Sequence, residues 1–383
     1  MNAPQRKIEA HPGALAVPAV RALSPYVPGK PITELARELG LTDIIKLASN
    51  ENPYGTSPQA LAAMRTALAE TWLYPDGSGH EMKQALAEHL GVSTDTLTLG
   101  NGSNDLLVLL AESFLTPQFN AVYAQYGFAY YPLVTRATGA QAREVPALKQ
   151  ESAMPLGHDL DAMARAVDAN TRLIFVANPN NPTGTWVSPE RLRAFVAAQP
   201  ATALVVLDEA YVEYGRLLGC QDAAAWVAEF PNLVVLRTFS KAYGLAGLRV
   251  GYAISHPEVA DVLNRLRPAF NVNTLAQVGA TAALRDQTHM LGAVERTVAE
   301  LRRVQGALQA EGWRCIPSAA NFVLVHIGPR AAEVNQQLLR AGIIVRPVGG
   351  YGLPEYLRLS IGLPAENDRL LATLSVCKDR RTA

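Results

Sequence analysis

The chain has 383 residues, 49% of them hydrophobic and 18% charged, the make-up of a folded protein large enough for more than one domain. Its 34 lysines and arginines balance 34 aspartates and glutamates, so no charge excess recommends nucleic acid or an anionic membrane surface as a partner. Cys220, Cys315 and Cys377 are far apart and form no C-x-x-C pair, which excludes a cysteine-built zinc module and points to a reducing compartment.

The amino-terminal stretch, up to about Pro31, is rich in proline and short apolar residues and reads as irregular. Residues 1–20 lack the basic start and continuous apolar core of a signal peptide, and no apolar run approaches the length of a membrane span. A cytoplasmic protein is expected. From Leu97 onward, strand-like runs alternate with amphipathic helical stretches: Leu97-Thr98-Leu99, Ala121-Val122-Tyr123-Ala124, Leu173-Ile174-Phe175-Val176, Leu204-Val205-Val206-Leu207 and Leu233-Val234-Val235-Leu236. The last three start about 30 residues apart, the length of a βαβ unit. Their near-continuous apolar content predicts strands buried on both faces of a mostly parallel sheet, hence an α/β fold. At Arg267-Pro268-Ala269-Phe270-Asn271-Val272-Asn273-Thr274 the pattern changes. Beyond it, residues 276–309 read as one or two long helices, and residues 321–325 and 357–361 as strands of a smaller α+β domain. The expected organisation is an arm at 1–35, a large domain at 36–270 and a small domain at 271–383, with the arm packing against both.

In open α/β sheets, ligands sit beyond the carboxyl ends of the strands, and four such ends carry polar residues here. Gly100-Asn101-Gly102-Ser103-Asn104-Asp105 precedes a helical run, where exposed backbone N–H groups cradle an anion, although a turn with a helix cap reads equally well. In Asn178-Pro179-Asn180-Asn181-Pro182-Thr183-Gly184, two prolines pin the backbone around the Asn181 amide, unless the stretch is only an Asn-Pro turn. Asp208, in Asp208-Glu209-Ala210-Tyr211, follows four buried apolar residues and is either a cap or a carboxylate that needs a cationic partner. The fourth end is the most informative: Thr238-Phe239-Ser240-Lys241-Ala242-Tyr243-Gly244-Leu245-Ala246-Gly247-Leu248-Arg249. A lysine at such a place is either one more solvated surface lysine or a nucleophile that forms a Schiff base with a carbonyl compound. The hydroxyls and the arginine around it suit the phosphate of pyridoxal 5'-phosphate (PLP), and Asp208 suits a protonated pyridine nitrogen.

Taken together, the glycine-rich turn, Asn-Pro-x-Gly, Asp-x-x-Tyr and Ser-Lys…Arg resemble the fold-type I PLP aminotransferases over nearly the whole chain. The resemblance implies a large domain with a mostly parallel, seven-stranded-type sheet flanked by helices, and a smaller α+β domain. It implies Lys241 as Schiff-base lysine, Asp208 as pyridinium partner, and Asn181 and Tyr211 as donors to the ring 3′-oxygen. Ser103, Asn104, Thr238, Ser240 and Arg249 become the phosphate cup, and Tyr126, in Gln125-Tyr126-Gly127-Phe128, the aromatic stacked on the ring. Tyr74, in Leu73-Tyr74-Pro75-Asp76-Gly77, matches a tyrosine that reaches the phosphate of a neighbouring subunit, which implies a homodimer.

Further stretches resemble the histidinol-phosphate aminotransferases within that family: Ser24-Pro25-Tyr26-Val27-Pro28-Gly29-Lys30-Pro31, Leu47-Ala48-Ser49-Asn50-Glu51-Asn52-Pro53-Tyr54-Gly55, Phe270-Asn271-Val272-Asn273, Ile344-Val345-Arg346-Pro347, Tyr351-Gly352-Leu353-Pro354 and Leu357-Arg358-Leu359. They imply Arg358 as the main oxyanion-binding arginine, with Arg346 and Tyr26 assisting, and histidinol phosphate and glutamate or 2-oxoglutarate as substrates. An aromatic amino-acid aminotransferase and a lyase of the threonine-phosphate decarboxylase kind are the competing readings. The seven histidines are scattered without ligand spacing, so no metal is expected.

Overall fold

The computed structural model describes residues 12–25 and 29–379. Twelve strands among them form two sheets. In chain order they are β1 (Ile45–Leu47), β2 (Leu97–Gly100), β3 (Asn120–Ala124), β4 (Gln141–Val145), β5 (Thr171–Ala177), β6 (Leu204–Asp208), β7 (Leu233–Thr238), β8 (Gly251–Ser255), β9 (Arg314–Cys315), β10 (Phe322–His326), β11 (Ile343–Val348) and β12 (Leu353–Ser360). The larger sheet has the order β2-β8-β7-β6-β5-β3-β4, and only β8 runs against its neighbours.

The apolar runs explain that sheet. Ile174, Val176, Val205, Leu207, Leu233 and Val235 join the core on one face, while Leu173, Phe175, Val206, Val234 and Leu236 join the core on the other. Each buried side chain of this kind stabilises the fold by about 1.5–3 kcal/mol, so the inner strands need no polar alternation. Since β2, β5, β6 and β7 run in one direction, their carboxyl ends at Gly100, Ala177, Asp208 and Thr238 lie along one edge of the sheet.

The smaller sheet, in the order β1-β11-β12-β10-β9, is antiparallel except for the β1–β11 pair. Here packing corrects the division into 36–270 and 271–383. Strand β1 belongs to the small sheet, whereas helix Thr274–Arg285 packs on helices Pro58–Ala67 and His80–Leu90 and places Ala276, Ala280, Ala283 and Leu284 in the large core. Helix Gln287–Ala310 spans the junction, with Met290, Val294 and Val298 in the large core and Leu301, Val304 and Leu308 in the small one. The pattern change near residue 270 is therefore a turn, not a domain boundary; Phe270 sits there at φ +59°. Of the described part of the arm, helix Pro18–Arg21 lies beside helix Tyr130–Ala137, and Leu35 rests on Ala48 and Ile344.

Candidate active site

The strand ends of the large sheet and the facing surface of the small sheet enclose a cavity of about 270 Å³. Ser103, Asn104, Asn181, Asp208, Tyr211, Thr238, Ser240, Lys241, Arg249, Arg346 and Arg358 all line it.

Lys241 stands three residues past the end of β7, and its Nζ donates to the Ser49 carbonyl at 3.0 Å. Burial, reinforced by the positive field of Arg358, brings its pKa down to about 8. Loss of water around an ammonium disfavours the charged form, so this amine becomes a neutral nucleophile well before an ordinary lysine does. Asp208 closes β6 and is 5% exposed. Its Oδ2 accepts from the Tyr131 hydroxyl at 2.9 Å and its Oδ1 from the Ala210 N–H at 3.2 Å. Burial raises its pKa, opposed by those two donors and by Lys241. A carboxylate so placed is completed by a cationic group in the cavity.

A candidate anion site is built from other residues of the same cavity. Helix Ser103–Phe114 starts at the cavity, and the first N–H groups of a helix lack intrahelical partners and carry its positive dipole end. The Ser240 hydroxyl accepts from Arg249 Nη1 at 3.1 Å and from Thr238 Oγ1 at 3.0 Å. Gly102 has φ +84°, and a Cβ there would lie 2.5 Å from Arg249 Nη2, so only glycine lets the guanidinium approach this turn. Asn271 buttresses it from behind, donating to the Leu99 carbonyl at 3.2 Å and to Asp105 at 2.9 Å. Tyr211 donates or accepts through a phenol that burial holds neutral, its pKa pushed up to about 12. Arg358 binds the Asn181 Oδ1 and the Ala48 carbonyl, and lies in cross-strand register with Arg346. Directly opposed residues share a face of the sheet, which brings two guanidinium groups to one wall.

One expectation is corrected. Tyr126 does not line the cavity; it packs beside Leu156, Leu324 and Tyr356, and its carbonyl accepts from Asn180. Phe128, two residues on, lines the cavity instead. Phe128 meets Tyr131 edge-on at 5.8 Å, and Tyr131 in turn stacks on Phe175 at 4.8 Å. The chain turns after β3, and the turn rather than the strand decides which aromatic faces inward. Tyr74, expected to reach a neighbouring subunit, does not line the cavity of its own chain; it is 82% exposed and stacked on Phe270 at 4.7 Å. Tyr26 lies outside the described residues. Tyr131 and Asn50 carried no expectation, because the hydrogen bonds that recruit them come from segments distant in sequence.

A carbonyl-reactive amine, a buried carboxylate facing it and a phosphate-sized anion cup in one cavity define an aminotransferase-type site, and this donor set fits PLP. The chain belongs to the aminotransferase class I and II family, whose family model matches residues 42–374. It is 54% identical over 364 residues, 94% of this chain and 97% of the relative, to histidinol-phosphate aminotransferase 2 of Pseudomonas fluorescens. Histidinol-phosphate aminotransferase 2 of Methylococcus capsulatus is 52% identical over 360 residues, 94% of this chain and 97% of the relative. Among solved structures, the histidinol-phosphate aminotransferase of Sinorhizobium meliloti in complex with pyridoxal-5'-phosphate superposes with a TM-score of 0.85 at 32% identity, covering 94% of this chain and 96% of that one.

Proposed function

We propose that this protein uses PLP to move the amino group of L-histidinol phosphate to 2-oxoglutarate, giving imidazole acetol phosphate and L-glutamate in histidine biosynthesis. The observation that carries the substrate is the pair Arg346 and Arg358 on one wall of the Lys241 cavity, joined to the similarity to curated histidinol-phosphate aminotransferases. Bound PLP supplies a carbonyl for covalent capture of the amine and an electron-withdrawing ring. Lys241 holds the cofactor and then serves as the base that takes the proton from the substrate's Cα. Asp208 keeps the pyridine nitrogen protonated, Asn181 and Tyr211 donate to the ring oxygen, and Phe128 takes the ring face first expected for Tyr126. Ser103, Asn104, Thr238, Ser240 and Arg249 hold the cofactor phosphate.

Arg358 grips the oxyanion of each substrate in turn, and Arg346 adds to the grip on the doubly charged phosphate ester. Arg346→Ala is therefore expected to weaken histidinol phosphate by roughly 1.5–3 kcal/mol, the range for a hydrogen bond to a charged group, with less effect on glutamate. Half-reaction kinetics with each amino donor measure this. Equal losses for both donors, or faster wild-type turnover of phenylalanine than of histidinol phosphate, would shift the assignment to an aromatic aminotransferase.

The enzyme works as a cytoplasmic homodimer in which Tyr74 completes the partner's phosphate cup. In support, Leu68, Trp72, Leu73 and Tyr74 form an exposed apolar stretch of the kind that marks interaction surfaces. Mixing Lys241→Ala with Tyr74→Phe subunits is expected to restore activity on exchange, since one site of each heterodimer is then unmutated. Proven exchange without recovery would assign Tyr74 elsewhere. No helix among the described residues is long and apolar enough to cross a membrane.

A further inference from the structure

We propose that Asn50 is a positioning residue that sets the direction in which the Tyr211 hydroxyl gives its proton, and so lets the small domain govern a donor of the large one. The inference rests on the reading of the cavity as a PLP site. It also accounts for the segment 47–55, matched above to the family without any role.

Asn50 is 1% exposed and stands at φ +56°, a left-handed conformation that asparagine tolerates better than most side chains. Its hydrogen bonds run in one direction around the amide. Its backbone N–H donates to the Ser360 hydroxyl at 2.9 Å, so that hydroxyl is an acceptor there. The Ser360 hydroxyl donates its own proton to Asn50 Oδ1 at 2.8 Å. With Oδ1 accepting, the other end of the amide must be Nδ2, which donates to Tyr211 Oη at 3.0 Å. An amide N–H accepts nothing, so the phenol cannot return its proton to Asn50 and directs it into the cavity that Tyr211 lines. The amide is anchored from the small domain on two sides, by Ser360 at the end of β12 and by Asn321, whose Nδ2 donates to the Asn50 carbonyl at 3.0 Å. Its neighbours strap the lysine loop: Asn52 Nδ2 donates to the Ala242 carbonyl at 2.8 Å and Thr56 Oγ1 to the Gly244 carbonyl at 2.7 Å. Gly244 is at φ +68°, and a Cβ there would stand 2.3 Å from the Gly55 carbonyl, so the strap lies directly on the loop.

The test titrates the visible absorbance of bound PLP against pH in the wild type, Asn50→Asp, Tyr211→Phe and the double variant. Aspartate keeps the size of asparagine but offers only acceptors, so the Tyr211 proton turns toward it and the cavity loses a donor. A ring oxygen without that donor keeps its own proton more strongly, and the midpoint rises. The expected rise is about one pH unit, the size of one charge-assisted hydrogen bond, in the same direction as Tyr211→Phe and with no further rise in the double variant. An Asn50→Asp midpoint equal to wild type, while Tyr211→Phe shifts, overturns the inference and leaves the PLP reading standing. A further rise in the double variant marks a plain charge effect and also overturns it. Should Asn50→Asp not fold, Ser360→Ala frees the amide to turn over and is expected to give a smaller rise of the same sign; an unchanged midpoint there overturns the proposal. Wild-type protein that shows no visible band with PLP overturns the cofactor reading itself.

Discussion

Lys241→Ala is expected to abolish transamination, by at least about 10⁴-fold, because one side chain supplies both the covalent tether and the proton-transferring base, and positioned bases alone contribute roughly 10²–10⁴-fold. PLP mixed with the variant should give no visible band of covalent attachment. The same residue carries a stability signature in the PLP-free protein. Its pKa falls from 10.5 in an ordinary lysine to about 8, with burial as the first cause and Arg358 as the second. Between those two values the unfolded chain binds the proton and the folded one does not, so stability rises with pH across that window. Below about pH 8 the folded protein carries the cost of a buried ammonium. The stability of wild type relative to Lys241→Ala should thus increase as pH is raised from about 8 toward 10.5, measured by denaturant unfolding of PLP-free protein. PLP capture should accelerate through the same lower pH, since only the neutral amine attacks. A Lys241→Ala variant with near wild-type turnover, or a visible band, would falsify the assignment.

Asp208→Ala is expected to cost roughly 10²–10³-fold in rate, the scale for removing one preorganised electrostatic group. PLP should still bind, because the proposed phosphate contacts come from other lining residues, Ser103, Asn104, Thr238, Ser240 and Arg249. Asp208→Glu keeps the charge and should be milder. Tyr131→Phe separates the carboxylate from its orientation: it deletes the 2.9 Å hydrogen bond to Asp208 Oδ2 but keeps the ring that stacks on Phe175. Its loss should fall below that of Asp208→Ala and add little to it, as expected for residues acting through one contact. Single-turnover half-reactions measure both. An Asp208→Ala protein as fast as wild type would make Asp208 a mere cap on the turn that follows β6.

Much of this protein was legible before folding was considered. Near-continuous runs such as Leu204 to Leu207 and Leu233 to Leu236, short, valine-rich and spaced about one βαβ unit apart, announce strands buried on both faces. Asp208 and Lys241 were found because each follows such a run, where a polar residue is costly unless it has a task. Strands β4 and β8 gave little signal: Gln141, Arg143 and Glu144 belong to an edge, and Gly251-Tyr252-Ala253-Ile254-Ser255 is short and mixed. What only the tertiary structure decided is which residues meet across long separations. Phe128 rather than Tyr126 faces the cavity because the turn after β3 rotates one inward. Asn50 and Ser360, 310 positions apart in the chain, share two hydrogen bonds, and Tyr131 reaches Asp208 across 77 positions. Helix Thr274–Arg285 joins the large core although it follows the pattern change near residue 270. Local sequence encodes periodicity and the cost of burying a polar group, and those are properties of one segment. Partnership between segments depends on how sheets and helices pack, and no single segment contains that information.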